Sequence, residues 1–268
     1  TREVRTTHTE NPAFLLTLNS DSFSETCGEV IAGALAWSGN FRLNFEVDEF
    51  DVLTVLAGAN PNASEYRLRP GETFTTPEMI YTHSFCGAGG ASRNLHDWAR
   101  NYGIYHGHEV VPTLLNSWEG AYFKFDAKVL KQMIDDAASM GLEMFVLDDG
   151  WFGKRNDDTC SLGDWSPNLE KLPDGVGGLA KKVNALGMKF GIWVEPEMIS
   201  PRSELAEKNP EFAISCARRE PALSRNQQVL DLTNPEVIAF VKGFLDKLLS
   251  SADISYIKWD MNRPLSEV

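Results

Sequence analysis

The chain has 268 residues, 43% hydrophobic and 24% charged, a balance that excludes intrinsic disorder and collagen-like structure. Lys and Arg number 25 against 38 Asp and Glu, a net charge of −13, which argues against a nucleic acid or an anionic membrane as partner and suits a neutral small molecule. No run approaches the roughly 18 apolar residues of a spanning helix, and Cys27, Cys86, Cys160 and Cys216 are scattered without metal-ligand spacing, as expected of reduced thiols in a cytoplasmic protein.

In chain order, residues 1–95 alternate between apolar and polar. Every step swaps across residues 41–48, so Phe41, Leu43, Phe45 and Val47 are expected on one face of a strand. Similar runs at 13–18, 30–37, 51–57 and 74–84 are separated by turn signals at 38–40, 58–62 and 69–71. This predicts the C-terminal part of an antiparallel β-sandwich with a linker, residues 1–95. Residues 89–108 read as a connecting helix and loop, with His106 and His108 solvated or capping. The first residue is Thr1 rather than Met, and an N-terminal portion of the sandwich is expected to precede it.

From Val110 the texture becomes α/β. Strands are expected at 110–118, 142–147, 188–194 and 254–257, with a minor one at 228–232. Asp126 should cap a helix with Val129, Leu130, Met133, Ile134 and Ala137 on its buried side and Gly141 at its end. Leu179, Val183 and Leu186 mark the next helix, ended by Gly187, and 201–209 a short one. Asn234 should cap a long helix with Pro235 at its first position and Val237, Ile238, Val241, Phe244, Leu245, Leu248 and Leu249 buried. A long loop spans 152–174. Repeated β-then-α units with apolar strands predict a parallel sheet. Polar residues gather at the strand C-terminal ends: Trp118, Asp148, Asp149, Glu195, Glu197, Asp231 and Asp260. The fold class expected is α/β, a (β/α)8 TIM-type barrel whose first half is residues 96–268. A doubly wound sheet would show a Gly-rich phosphate turn, and none is present.

Convergent carboxylates suit glycoside hydrolysis, in which one attacks or activates water and another protonates the leaving oxygen. Asp260 follows an apolar strand, with Lys258 and Asn262 on its strand face. A nearby cation keeps an aspartate ionised, as a nucleophile requires. Asp148 and Asp149 could accept hydrogen bonds from two sugar hydroxyls, bind a metal, or cap the loop. Glu195 and Glu197 are expected on one face of their strand. Trp118, Trp151, Trp193 and Trp259 at strand ends, and Trp165 in the long loop, offer sugar-stacking surfaces or ordinary packing.

Three motifs carry a closer resemblance: Val146-Leu147-Asp148-Asp149-Gly150-Trp151-Phe152-Gly153, Trp193-Val194-Glu195-Pro196-Glu197-Met198 and Lys258-Trp259-Asp260-Met261-Asn262-Arg263. Together they resemble the bacterial α-galactosidases of glycoside hydrolase family 36, over residues 80–268 and, before them, the end of that family's N-terminal sandwich. The resemblance implies a retaining α-galactosidase acting on raffinose- or melibiose-type oligosaccharides, without a cofactor and with no metal. It assigns Asp260 as nucleophile, Asp148 and Asp149 as partners of the galactose hydroxyls, and Trp118, Trp193, Arg225, Lys258 and Asn262 as further pocket residues. It implies a homo-oligomeric parent enzyme, and an acid/base aspartate in a later motif that residues 1–268 do not contain, so that this chain alone is expected to be inactive. The rival readings are a galactosyltransferase of the same family, a metal-dependent barrel lyase using Asp149, Glu195 and Asp260, and a carbohydrate-binding piece without turnover.

Overall fold

The computed structural model describes residues 2–7, 9–17, 22–62, 65–263 and 265. The chain divides into two compact units, Thr1–Val110 and Val111–Val268.

The first unit holds β1 (Arg2–Arg5), β2 (Ala13–Thr17), β3 (Val30–Leu35), β4 (Asn40–Val47), β5 (Leu53–Ala59) and β6 (Met79–Ser84). They form two antiparallel three-stranded sheets, ordered β1-β4-β5 and β2-β3-β6. Leu35, Phe14 and Met79 of one sheet meet Phe41, Leu43, Phe45 and Ala57 of the other. Phe14 sets its ring edge-on to Phe45 at 5.3 Å. The expected face of β4 holds for Phe41 and Leu43, but Val47 is 62% exposed, because the cluster between the sheets ends at Phe45. The run expected at 74–84 pairs only from Met79. Its partner β3 has six residues, matched from Leu35↔Met79 to Val30↔Ser84; past it a single bond, the Ala36 N–H to Glu78 O at 2.8 Å, prolongs the contact. Leu18, expected to end β2, lies outside the described residues. Helix α1 (Gly87–Trp98) follows; Ala91 packs on Val30 and Ala32. A Cβ at Gly90 would lie 2.2 Å from Ser84 Oγ, so this position must be glycine for α1 to approach β6. A π-helical turn, Ala99–Gly103, continues the helix. His108 Nε2 bonds Asn101 Oδ1 at 3.1 Å and His106 Nδ1 pairs with Glu109 at 2.9 Å.

In the second unit β7 (Leu114–Asn116), β8 (Met144–Leu147), β9 (Lys189–Val194) and β12 (Tyr256–Trp259) form one parallel sheet, ordered β12-β9-β8-β7. Each strand lies beside the one before it, always on the same side, which is the winding of a (β/α)8 barrel; a doubly wound sheet reverses direction. A two-stranded antiparallel piece, β10 (Met198–Ile199) and β11 (Gln228–Val229), lies between β9 and β12 in sequence.

The helices are α2 (Trp118–Ala121), α3 (Ala127–Ser139), α4 (Gly175–Ala185), α5 (Glu204–Lys208) and α6 (Pro235–Ser251). Asp126 caps α3 by accepting the Val129 N–H at 2.9 Å, and Asn234 caps α6 by accepting the Glu236 N–H at 2.9 Å. Leu130, Ile134 and Ala137 of α3 are fully buried, while Val129, expected beside them, is 39% exposed. Leu186 and Leu249 are likewise exposed rather than buried, as the first residue past α4 and in the last turn of α6. The four residues of β8 are all buried. Phe145, Leu147, Phe190 and Ile192 of the sheet join helix residues such as Ile134, Leu179 and Val183 in one core, which fixes where the strand ends deliver their polar residues.

Candidate active site

The carboxylates stand where the strands stop. Asp148 and Asp149 directly follow β8. Gly150 after them has φ +101°, and a Cβ there would crowd the Phe123 and Phe125 rings at 3.1 and 3.2 Å. Only glycine allows that turn. Asp148, 3% exposed, accepts from Asn116 Nδ2 at 2.6 Å, from Lys258 Nζ at 2.8 Å and from the Asp149 N–H at 2.8 Å. The Lys258 bond joins β12 to the end of β8, across the intervening β9. Asp149, 5% exposed, is gripped by Arg155, whose Nε lies 3.0 Å from Oδ1 and whose Nη2 lies 2.9 Å from Oδ2. Burial pushes the Asp149 carboxyl above the usual range; the Arg155 guanidinium opposes that and the neighbouring Asp148 charge adds to it.

Asp260 follows β12. Its N–H donates to Val194 O at 3.0 Å, and its Oδ2 accepts from Trp193 Nε1 at 3.0 Å. Asn262, two residues on, receives Arg225 Nη1 on Oδ1 at 2.8 Å. Arg225 and Asn226, with φ +54° and +57°, are the centre of a tight turn closed by the Gln227 N–H on Ser224 O at 3.1 Å. Glu195, 1% exposed, accepts from Gln227 Nε2 at 2.8 Å and from the Asn262 N–H at 3.2 Å. Glu197 accepts from Trp259 Nε1 at 2.7 Å. The two glutamates do not share a strand face, contrary to the expectation from their spacing. The β9 strand ends at Val194, and Glu195 and Glu197 lie in the turn that leads to β10, because Pro196 lacks the N–H a ladder needs. Burial pushes Glu195 up to about 7, the charge of Glu197 adding to the shift and the Asn262 and Gln227 donors opposing it. Glu197 is raised too, first by burial, with Asp260 contributing.

The tryptophans divide. Trp151 is fully buried and donates to Trp193 O at 3.0 Å, so it is a core residue. Trp193 is 2% exposed, and its indole N–H rather than its face addresses the site. Trp165 stacks on Phe244 at 4.9 Å between centroids. Trp118, half-buried, sets its ring edge-on to Phe123 at 5.0 Å. Trp259 is 53% exposed.

The structure thus brings six of the expected site residues into three hydrogen-bonded pairs, Asp148–Lys258, Trp193–Asp260 and Arg225–Asn262, the first two at the ends of β8, β9 and β12 and the third between the turn before β11 and the segment after β12. Asp149 turns to Arg155 on the long loop after β8. Sequence reading passed over Asn116, Arg155, Lys171 and Gln227. Arg155 is 1% exposed, and Lys171 Nζ donates to the carbonyls of Phe123, Gly150 and Arg155 at 3.2, 3.0 and 2.9 Å. Both lie in a stretch without periodicity, where nothing local marks a buried cation. Among the described residues no group of three or more His, Cys, Asp or Glu side chains is gathered as metal ligands.

A parallel sheet wound in one direction, with carboxylates, a lysine and an indole N–H at its strand ends, has the pattern of the first strands of a (β/α)8 barrel with its polar face at the strand C-termini. The chain matches the Melibiase family over residues 73–268 and the glycosyl hydrolase family 36 N-terminal domain over residues 1–69. It belongs to glycoside hydrolase family 36. It is 42% identical to alpha-galactosidase AgaA of Geobacillus stearothermophilus over 270 residues, which cover all of this chain and 37% of that one. The crystal structure of the G. stearothermophilus alpha-galactosidase AgaB superposes with a TM-score of 0.94 at 42% identity, covering 100% of this chain and 37% of that one. An AgaA variant in complex with raffinose gives 0.94 at 40% identity, covering 100% and 38%. The chain therefore spans a little over a third of the length of these relatives. They are TIM-barrel enzymes with an N-terminal sandwich, and the two sheet types described above fit that architecture. No helix among the described residues is long and apolar enough to cross a membrane.

Proposed function

We propose that the full-length protein is a retaining α-galactosidase that removes terminal α-galactose from oligosaccharides of the raffinose and stachyose kind, the ligands of the solved AgaA complexes. In this reading residues 1–95 are the end of the sandwich with its linker and residues 96–268 the first half of the barrel. Asp260 attacks the anomeric carbon as the aglycone oxygen leaves with a proton, and water then hydrolyses the glycosyl-enzyme. The proton donor is assigned to a carboxylate outside residues 1–268. The observation that carries the reading is the fixing of Asp260 by Trp193 Nε1 and the Val194 carbonyl, next to the Lys258–Asp148 pair on the same strand ends.

Acceptor arithmetic supports the role given to the paired aspartates. A carboxylate offers about four acceptor positions. Three donors already occupy Asp148, namely Asn116, Lys258 and the Asp149 N–H. One position remains on Asp148, room for one sugar hydroxyl. Asp149 carries four contacts, Arg155 Nε on both oxygens, Arg155 Nη2 and the Gly150 N–H, so a sugar hydroxyl there shares an oxygen with the Arg155 fork. The thiols of Cys27, Cys86 and Cys160 are reduced, which suits a cytoplasmic enzyme, and we take the assembly to be a homo-oligomer.

Asp260→Ala in the full-length protein, assayed with an aryl α-galactoside, is expected to lower kcat by about 100-fold or more, since a unique covalent nucleophile contributes at least that. A smaller loss would point to a different nucleophile.

A further inference from the structure

Glu195 is almost fully buried at the exit of β9, beside the proposed nucleophile segment, and has no role in the double displacement. Its Oε1 receives two donors from different parts of the chain, Gln227 Nε2 at 2.8 Å and the Asn262 N–H at 3.2 Å. Those two residues are also joined through Arg225. Gln227 closes the tight turn that presents Arg225, and Arg225 Nη1 bonds Asn262 Oδ1 at 2.8 Å. A single carboxylate oxygen therefore anchors both ends of the Arg225–Asn262 pair. Arg263 fastens the base of the same turn, its Nη1 donating to Ala222 O at 3.0 Å and Gln227 O at 2.7 Å. Asp260 is secured separately, by Trp193 Nε1 and the Val194 carbonyl, each at 3.0 Å.

We infer that Glu195 is a positioning residue that sets affinity for the sugar by holding Arg225 and Asn262, while leaving the nucleophile untouched. The inference rests on the reading of Arg225 and Asn262 as pocket residues of a galactoside site. The two independent anchorages predict a split in the kinetics. Loss of Glu195 frees Asn262 and leaves the buried Gln227 amide without its acceptor, so ground-state binding weakens. Asp260 keeps both of its own bonds, so the chemical step persists. Glutamine at 195 keeps an acceptor oxygen for both donors and removes only the charge.

The test is made in the full-length protein with an aryl α-galactoside as substrate and galactose as competitive inhibitor. Glu195→Ala is expected to raise KM and the galactose inhibition constant about tenfold, the loss of roughly one buried hydrogen bond to a charged group, with kcat changed by less than about threefold. Glu195→Gln should recover most of the loss. Gln227→Met cuts the same link from the other side and should raise both constants as well, so it carries the decision if Glu195→Ala does not fold. An unmoved KM in folded variants, a fall in kcat at constant KM, or a glutamine variant as impaired as alanine overturns the inference. A wild-type protein that neither hydrolyses nor binds α-galactosides removes the functional reading and the inference together, whereas an active wild type with an unmoved KM removes the inference alone.

Discussion

Arg155 and Asp149 expose 1% and 6% of their side chains and meet through two donors. A buried pair of this kind is costly to break, because the survivor is left charged and unsolvated. Arg155→Met is therefore expected to lower stability by about 3–5 kcal/mol, measured by denaturant unfolding of the full-length protein. Arg155→Lys offers a single point of contact where the guanidinium offers two, and is expected to fold while weakening galactose binding by about tenfold. Asp148→Asn turns an acceptor into a donor facing Lys258 and should weaken the sugar by one to two decades, about 1.5–3 kcal/mol; titration calorimetry with galactose checks both. The pH response at Glu195 has a definite sign. Its carboxyl is raised from 4.5 to about 7 in the fold, so between those values the folded state keeps a proton that the unfolded chain has released. Stability therefore falls as pH rises through that window and stays reduced above it. Glu195→Gln should show a smaller drop in Tm between about pH 5 and about pH 8 than the wild type. An equal drop would mean that Glu195 does not titrate there. Little of this layer was legible in sequence. Lys258, Asp260 and Asn262 stand out through their i, i+2 spacing, but the shared strand face that spacing predicts is not formed: β12 ends at Trp259, and Asp260 and Asn262 lie beyond it. Arg155 reaches Asp149 from a loop with no period at all.

At the scale of elements, chemistry within a few residues was readable and pairing partners were not. Asp126 and Asn234 cap α3 and α6 as their sequences announce, because an N-cap needs only its own side chain and the next N–H groups. Asn234→Ala is expected to cost about 1 kcal/mol of stability, visible in denaturant midpoints. Strand limits went the other way. Residues 110–118 are apolar enough for a long strand, yet β7 pairs only over Leu114–Asn116, against Met144–Val146 of β8. The neighbour's length sets a strand's ends, and the neighbour is distant in sequence. The glutamates after β9 were misplaced for a local reason that was available: Pro196 between them forbids the ladder.

Across the whole molecule, the parallel sheet of β7, β8, β9 and β12 is legible in the alternation of apolar strands and amphipathic helices, and the polar residues at the strand C-terminal ends mark the candidate site. What sequence could not supply is the register that carries Lys258 across β9 to Asp148, a contact between residues 110 positions apart. Among the described residues the outer edges of β7 and β12 have no strand partner. Open edges recruit other chains. Residues 1–268 expressed alone are therefore expected to self-associate, as a mass above the monomer's in light scattering, and to show no steady turnover of an aryl α-galactoside. Sustained turnover by that chain would place the proton donor within it.

A nucleophilic Asp260 carries the galactosyl group covalently during turnover, and trapping that adduct identifies the residue. The full-length protein is incubated with an activated fluorinated α-galactoside whose glycosyl-enzyme hydrolyses slowly, then digested and analysed by mass spectrometry. One glycosyl group is expected on the peptide that contains Asp260, absent when galactose is present in excess. A glycosyl group on a peptide carrying Glu195, Glu197 or Asp148 instead, or inactivation-free turnover with no adduct at all, would contradict a nucleophilic Asp260.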